Sequence, residues 1–319
     1  MQKRRLGRTG LEVSVLGYGA GAVGGLFTKG DPADQERALA RAVELGINYV
    51  DTAALYGNGE SERNLGRVLK KLKPDVVLGT KFRLKTADRK RVADYVAQSM
   101  DESLQRLGLD HVDLFQLHNP LVAKDADDKM DVEIALNEVV PALHKLQKAG
   151  KTRFIGFSGT GEPAAILKAV DSKAFDTVQV VYNALNPSAG GPLPKGAPGL
   201  DYGRLHDRAK AADMGTIIIR ALAGGALSGT EARHPLAMQQ VDPIGSAPNF
   251  AADVQRAQAL EPLAREMGGS LTEFAERFVI SHPAVSTMLV GYSTLDHLEE
   301  AARAVAKGPL PAAAVARIA

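Results

Sequence analysis

Four residues able to take part in proton transfer stand just past the ends of three consecutive apolar runs: Asp51 and Tyr56 after INYV, Lys81 after VVLGT, and His118 after DLFQL. A phenol with a pKa of about 10 is a poor proton donor at neutral pH, whereas a neighbouring ammonium stabilises the phenolate and makes it a usable one. Lys81 can be that neighbour, Asp51 can keep the ammonium charged and in place, and His118 can donate a hydrogen bond that orients a substrate oxygen. Such a set protonates an alkoxide or deprotonates an alcohol. Taken singly, each residue has a plainer reading, because Asp–Lys pairs are salt bridges, tyrosines pack, and a histidine after a strand is a hydrogen-bonded structural group. Convergence of all four on one face gives the functional reading its weight.

Convergence requires a fold that lines up strand ends. Eight runs rich in Val, Ile and Leu recur, at Val13–Gly17, Asn48–Asp51, Val76–Lys81, Val112–His118, Phe154–Ser158, Val178–Asn183, Thr216–Arg220 and Thr287–Gly291. Near-continuous apolar runs, not strict alternation, mark parallel strands covered on both faces. Helical patterns separate them. Asp88 to Gly108 carries Val92, Val96, Leu104 and Leu107 at helical spacing, with Gly108 as a stop. Val132 to Gly150 repeats the pattern with Leu136, Val140, Leu143 and Leu146, and Pro141 inside it predicts a kink or restart. Strand–helix alternation eight times over predicts an α/β protein of the (β/α)8, or TIM, barrel type, whose strand ends share one face. An open doubly wound sheet is the alternative, but Gly17, Gly19, Gly21 and Gly24 lack the G-x-G-x-x-G spacing of its dinucleotide fingerprint.

The 319 residues suit one barrel domain over 1–319, since no linker divides the chain and no sequence repeat of about 20–50 residues is evident. The opening KRRLGRTGLEVS reads as a β-hairpin turning at Arg8-Thr9-Gly10, placed to plug the far end of the barrel. Two Gly/Pro-rich insertions, at 186–203 and 224–249, follow strands six and seven and should extend over the face that carries the ionisable group. A net charge of +2 with 24% charged residues argues against a nucleic-acid partner. No apolar run approaches the ~18 residues of a membrane span, and MQKRRLGRTG has no signal core. Zero cysteines exclude disulfides and thiol catalysis and fit a cytoplasmic protein. No metal is expected: His111, His144, His206, His234 and His282 show no H-x-H or H-x-x-x-H pairing, which leaves a barrel metal hydrolase without support.

DTAALYGNGESERNLGRVL (51–69), GTKF (79–82), DLFQLHNP (113–120) and GKTRFIGFSG (150–159) resemble, in order, the landmarks of the aldo-keto reductases. The likeness runs from RRLGRTGLEVSVLGYGA to STMLVGYSTLDHLEEA, and its GYST segment is closest to the aldose 1-dehydrogenase branch. It implies Tyr56 as proton donor or acceptor, Lys81 and Asp51 as its tuning pair, and His118 as the substrate-orienting residue. It also implies a nicotinamide cofactor held across the barrel mouth without a Rossmann fold, with Ser158 and Gln179 on the carboxamide. Gln179, an amide inside the apolar VQVVYN run, is the stronger of those two.

By the same resemblance ALAGGALSG (221–229) wraps the pyrophosphate, bringing in Arg220, Leu222, Gly224 and Leu227. Gly19, Ala20, Asp51 and Gly291 complete that wall. GYSTLDHLEEA (291–301) resembles the adenosine-phosphate helix, where Ser293, Thr294 and the helix amino end receive an anion and His297 and Glu300 lie alongside. Four departures stand out. Ile219 replaces an aromatic ring, Arg220 a small polar residue, and His297 and Ala301 the usual Arg or Gln and the usual Asn. A neutral His holds a 2′-phosphate less firmly than a bidentate Arg, which predicts dual use of NAD and NADP. The expected activity is hydride exchange between nicotinamide and a small carbonyl or sugar substrate, with Phe27, Phe82, Asn119 and Tyr182 shaping the pocket. An NAD-preferring aldose 1-dehydrogenase is the alternative within enzymes, and a nicotinamide-binding regulatory module the alternative outside them.

Overall fold

The computed structural model describes residues 1–126 and 128–318. Eight parallel strands close into a barrel: Leu16–Gly19, Tyr49–Asp51, Val77–Phe82, Val112–Leu117, Thr152–Gly159, Thr177–Val181, Gly215–Ile219 and Thr287–Gly291. They neighbour one another in chain order, and the last pairs with the first through Leu289↔Gly17 and Val290↔Tyr18. Their apolar side chains are buried, from Leu16, Tyr18 and Val50 to Ile218 and Met288, because helices outside and packed side chains inside leave neither face wet. The expected (β/α)8 architecture is the one observed.

The register determines which polar residues share a layer near the mouth. Lys81 lies beside Gln116, and Ser158 beside Gln179. Asp51 lies beside Gly79, where an added Cβ would stand 2.9 Å from the Tyr49 hydroxyl and 3.2 Å from an Asp51 carboxylate oxygen. A side chain at that strand position would occupy the space the buried polar groups fill.

Most strand ends differ from the sequence reading by one or two residues, and the first run differs more. The run Val13–Gly17 belongs to two elements, a hairpin strand Glu12–Ser14 paired with Lys3–Arg5 and a barrel strand beginning at Leu16. Ser14 makes the break: its hydroxyl donates to the Leu16 carbonyl at 2.6 Å, and its N–H donates to the Asn48 side chain at 2.7 Å, diverting backbone groups from a continuous ladder. The hairpin turns through Gly7–Thr9 and ends in a left-handed Gly10. It inserts Leu6 into the far end of the barrel, against Val13, Tyr49, Leu114 and Ile217.

Helix boundaries follow local chemistry. Gly108 adopts φ 65° and stops the helix Val92–Leu107, whose Val92, Val96, Leu104 and Leu107 are buried as expected. The preceding Thr86–Arg91 forms a 3-10 turn. Around Pro141 the helix does not break but widens, with a π turn over Ala135–Val139 between Val132–Ile134 and Val140–Lys148. The wide turn accommodates a residue that has no N–H to donate. Among the described residues no helix is long and apolar enough to cross a membrane.

The plug gives a test of the barrel's closed end. Leu6→Ala empties a fully buried site and should cost about 3 kcal/mol in urea unfolding.

Candidate active site

The mouth is built around Asp51. One carboxylate oxygen takes the Lys81 ammonium in a buried ion pair, with the two side chains 3% and 1% exposed. The other accepts from Gln116 and Gln179 at 3.0 Å each and from the Tyr49 hydroxyl at 3.3 Å. Gln116 and Tyr49 were absent from the sequence reading. Gln116 carried the same signal as Gln179, an amide inside an apolar strand, DLFQL.

Lys81 spends its other two protons on the Thr52 carbonyl at 2.8 Å and the Tyr56 hydroxyl at 3.1 Å. Burial opposes its charge, but Asp51 and Tyr56 outweigh burial and hold the ammonium above its ordinary pKa. The ammonium thus remains charged, directed at a phenol oxygen, and it also lies 4.7 Å from the centre of the Tyr56 ring. The loop that carries Tyr56 is pinned on both sides. Ala54 N–H donates to the Lys81 carbonyl at 3.1 Å, and Ser61 donates its hydroxyl to the Ala20 carbonyl at 2.7 Å. Gly57, Asn58 and Gly59 all take positive φ, so the turn after Tyr56 uses residues that tolerate that region.

His118 sits edge-on to Tyr56, with ring centres 5.6 Å apart. Its Nδ1 is buried without a partner, and burial, then the charges of Lys81 and Arg83, push its pKa well below the ordinary value. The imidazole is therefore neutral at pH 7 and can donate one hydrogen bond. The four residues expected to converge do so: Asp51, Tyr56 and His118 line one cleft, and Lys81 stands directly behind Tyr56.

That cleft measures about 1080 Å³ and passes from Tyr56 and His118 to Ser293 and His297. Gly19, Ser158, Gln179, Arg220, Leu222, Gly224, Gly291 and Glu300 line it, as expected of a cofactor wall. Gly24 lets the two walls meet, since a Cβ there would come within 2.3 Å of the Tyr292 nitrogen. Gly224 and Gly225, both lining the cleft, take φ of 71° and 110°, a backbone conformation that glycine adopts without strain. An extended dinucleotide fits such a trough, with donors from Ser158 and the glycine backbone and a cation from Arg220. At the far end the hydroxyls are less free than expected. Ser293 donates to the Gly24 carbonyl at 2.6 Å, and Thr294 caps its helix by accepting from His297 N–H at 3.3 Å.

Six expected positions lie elsewhere. Ala20 and Leu227 are buried behind the cleft surface. The four side chains assigned to the substrate pocket are all interior. Phe27 packs edge-on to Tyr18, Phe82 stacks on Phe115, and Tyr182 stacks on Phe278. Asn119 holds the backbone of Leu84 from both sides. Aromatic rings near strand ends bury their area in the wall because the helices outside supply apolar partners. The cleft that holds Tyr56 is lined instead by Leu55, Arg83, Pro120 and Thr160, which the sequence reading did not single out, and by Arg220, which it did.

Known proteins share this chain's sequence and shape. The L-galactose dehydrogenase of Arabidopsis thaliana is 31% identical over 314 residues, covering 96% of this chain and 88% of that one. The D-threo-aldose 1-dehydrogenase of a Pseudomonas species is 33% identical over 214 residues, 58% of this chain and 62% of that one. Among solved structures, the holo form of the aldo-keto reductase AKR11C1 from Bacillus halodurans superposes with a TM-score of 0.74 at 25% identity, covering 100% of this chain and 95% of that one. The profile of the "Aldo/keto reductase family" matches residues 15–319. The chain belongs to the aldo/keto reductase family, oxidoreductases that work with nicotinamide cofactors.

Proposed function

We propose that this protein moves a hydride between a nicotinamide dinucleotide and the carbonyl or alcohol carbon of a small aldehyde, ketone or aldose, with Tyr56 as the general acid and base. The observation that carries the reading is the buried relay Asp51–Lys81–Tyr56 opening on the cleft. A bound nicotinamide supplies or accepts the hydride. The chain's own residues handle the proton. In the reducing direction the Tyr56 O–H bond breaks and its proton goes to the oxygen of the former carbonyl, leaving a phenolate 3.1 Å from the Lys81 ammonium. His118, neutral, donates to the same substrate oxygen and fixes its position. In the oxidising direction Tyr56 takes the alcohol proton back.

Polar groups lining the cleft with Tyr56, including Arg83, Thr160 and Arg220, suit a substrate rich in hydroxyls. The names of two relatives, L-galactose dehydrogenase and D-threo-aldose 1-dehydrogenase, favour a second reading, oxidation of an aldose to its lactone. A binding module without turnover would not require the relay. Screening aldehydes, ketones and aldoses by nicotinamide absorbance, with both cofactors in both redox states, tests the proposal. Absence of turnover with every class would overturn it.

The adenosine end bears on cofactor choice. His297 stands there without an arginine fork, and Glu276 and Glu300 contribute carboxyl groups to the same wall. NAD(H) is therefore at least competitive with NADP(H).

Three measurements follow from this chemistry. Tyr56→Phe should lower turnover at least ~100-fold with little change in cofactor affinity, and near-wild-type turnover would remove Tyr56 from the role. Lys81→Met and Asp51→Asn each strand a buried partner and should destabilise by about 3–5 kcal/mol, whereas the double variant should lose far less than the sum. Additive losses in that cycle would indicate independent roles. His297→Arg should shift the ratio of directly titrated affinities toward NADPH by about ten-fold, and wild-type affinity 100-fold higher for NADPH would contradict the assignment.

A further inference from the structure

The cleft contains a buried polar group that the proton relay does not use. Glu276, on the helix Leu271–Ser281, is 1% exposed and lines the cleft, and its Oε2 is buried without a hydrogen-bond partner. Arg277, next to it in the chain, and Lys307 both pair with Glu273. Burial, then the charges of Glu300 on the facing helix and Glu273 on its own, push the Glu276 carboxyl up to about 8. Tyr292, buried beside it and packed on Tyr18, is itself pushed well above its ordinary pKa by burial and by Glu276, so it offers no positive charge. His297 and, 6.2 Å from it between ring centres, His234 line the same cleft, as does Arg233, whose guanidinium donates to the Gly224 carbonyl at 2.8 Å.

A carboxyl so placed is a neutral acid at pH 7, with one O–H donor and one C=O acceptor side by side. That pair limits what can satisfy it. A phosphate or carboxylate offers only acceptors and brings negative charge toward Glu300 and Glu273. Ribose hydroxyls lose hydration for little in so dry a recess. A flat heterocycle that presents an N–H next to a ring nitrogen matches both halves at once, and the small Ala301 and the buried Tyr292 leave an apolar recess for its face. Given the dinucleotide reading above, the nicotinamide lies at Tyr56, and the base at the other end is adenine.

We propose that Glu276 reads the adenine of the cofactor, donating its O–H to a ring nitrogen and accepting the 6-amino N–H on its carbonyl oxygen. It is a positioning and specificity residue remote from the reacting atoms.

ADP-ribose isolates this contact, because it has the adenosine half and no nicotinamide. Its affinity, titrated calorimetrically, should fall about ten-fold in Glu276→Leu and persist in Glu276→Gln, whose amide also carries a donor and an acceptor. In wild type the affinity should weaken at least about ten-fold between pH 7 and pH 10 as the carboxyl ionises, and the Glu276→Gln protein should be flat over that range. Removing the 6-amino group from ADP-ribose should weaken wild type but not Glu276→Leu. Thermal melts monitor folding, and Glu276→Leu should melt higher, having lost an unpartnered buried acid. A well-folded Glu276→Leu that binds ADP-ribose as wild type does overturns the assignment, as does a wild-type affinity indifferent to the 6-amino group. Binding that behaves as expected in a protein without carbonyl or aldose turnover would leave Glu276 in place and remove only the activity proposed above. Absence of binding by ADP-ribose and both dinucleotides would overturn both.

Discussion

A negative charge held inside a barrel is the constraint on which the mouth depends. An ionised carboxylate loses several kcal/mol of hydration on burial, and Asp51 recovers it from a cation and three neutral donors. The cation and the two amides come from three strands other than Asp51's own, so the charge is satisfied only when those strands stand in register. Strand order and site chemistry are therefore one requirement. The same arrangement explains why Gly79 stands where it does, since its neighbours on the inner face are the atoms that solvate Asp51.

The pair also gives the site its polarity. Lys81 is kept charged by Asp51 and directed by the Thr52 carbonyl, which leaves a single proton for the one residue that faces both the cleft and the pair. His118 is kept neutral by burial and then by the charges of Lys81 and Arg83, so the cation that Asp51 holds in place also helps fix the state of the imidazole.

Much of this was legible in the chain because strand ends are legible. Apolar runs mark the strands, and the residue that follows each run must face the mouth, which located Asp51, Lys81 and His118 without any view of side chains. Gln116 was equally readable as an amide within an apolar strand, and only its partner was hidden. The substrate-side assignments failed for a physical reason. Whether Phe82 or Tyr182 faces a cleft or a helix depends on which side of a strand end its bond points to, and that is decided by packing between elements distant in sequence. Glu276 was unreadable for the same reason: on a helix otherwise apolar toward the barrel, nothing local separates a buried acid from a surface one.

The two insertions after strands six and seven are clasped together. Asn186 donates its side-chain N–H groups to the carbonyls of Leu200 and Gly245, and Leu200 N–H donates to Gly245 at 3.2 Å. Arg256, on the helix Phe250–Gln258, donates to Ser246 at 3.1 Å and to the Leu185 carbonyl, 71 residues away, at 2.7 Å. Widening that side of the trough must therefore carry both insertions and the helix as a unit, breaking guanidinium bonds that are costly to lose. Only the second insertion lines the trough, through residues such as Gly224 and Ile244, so the first insertion and the helix act as a brace that holds this wall in place from behind.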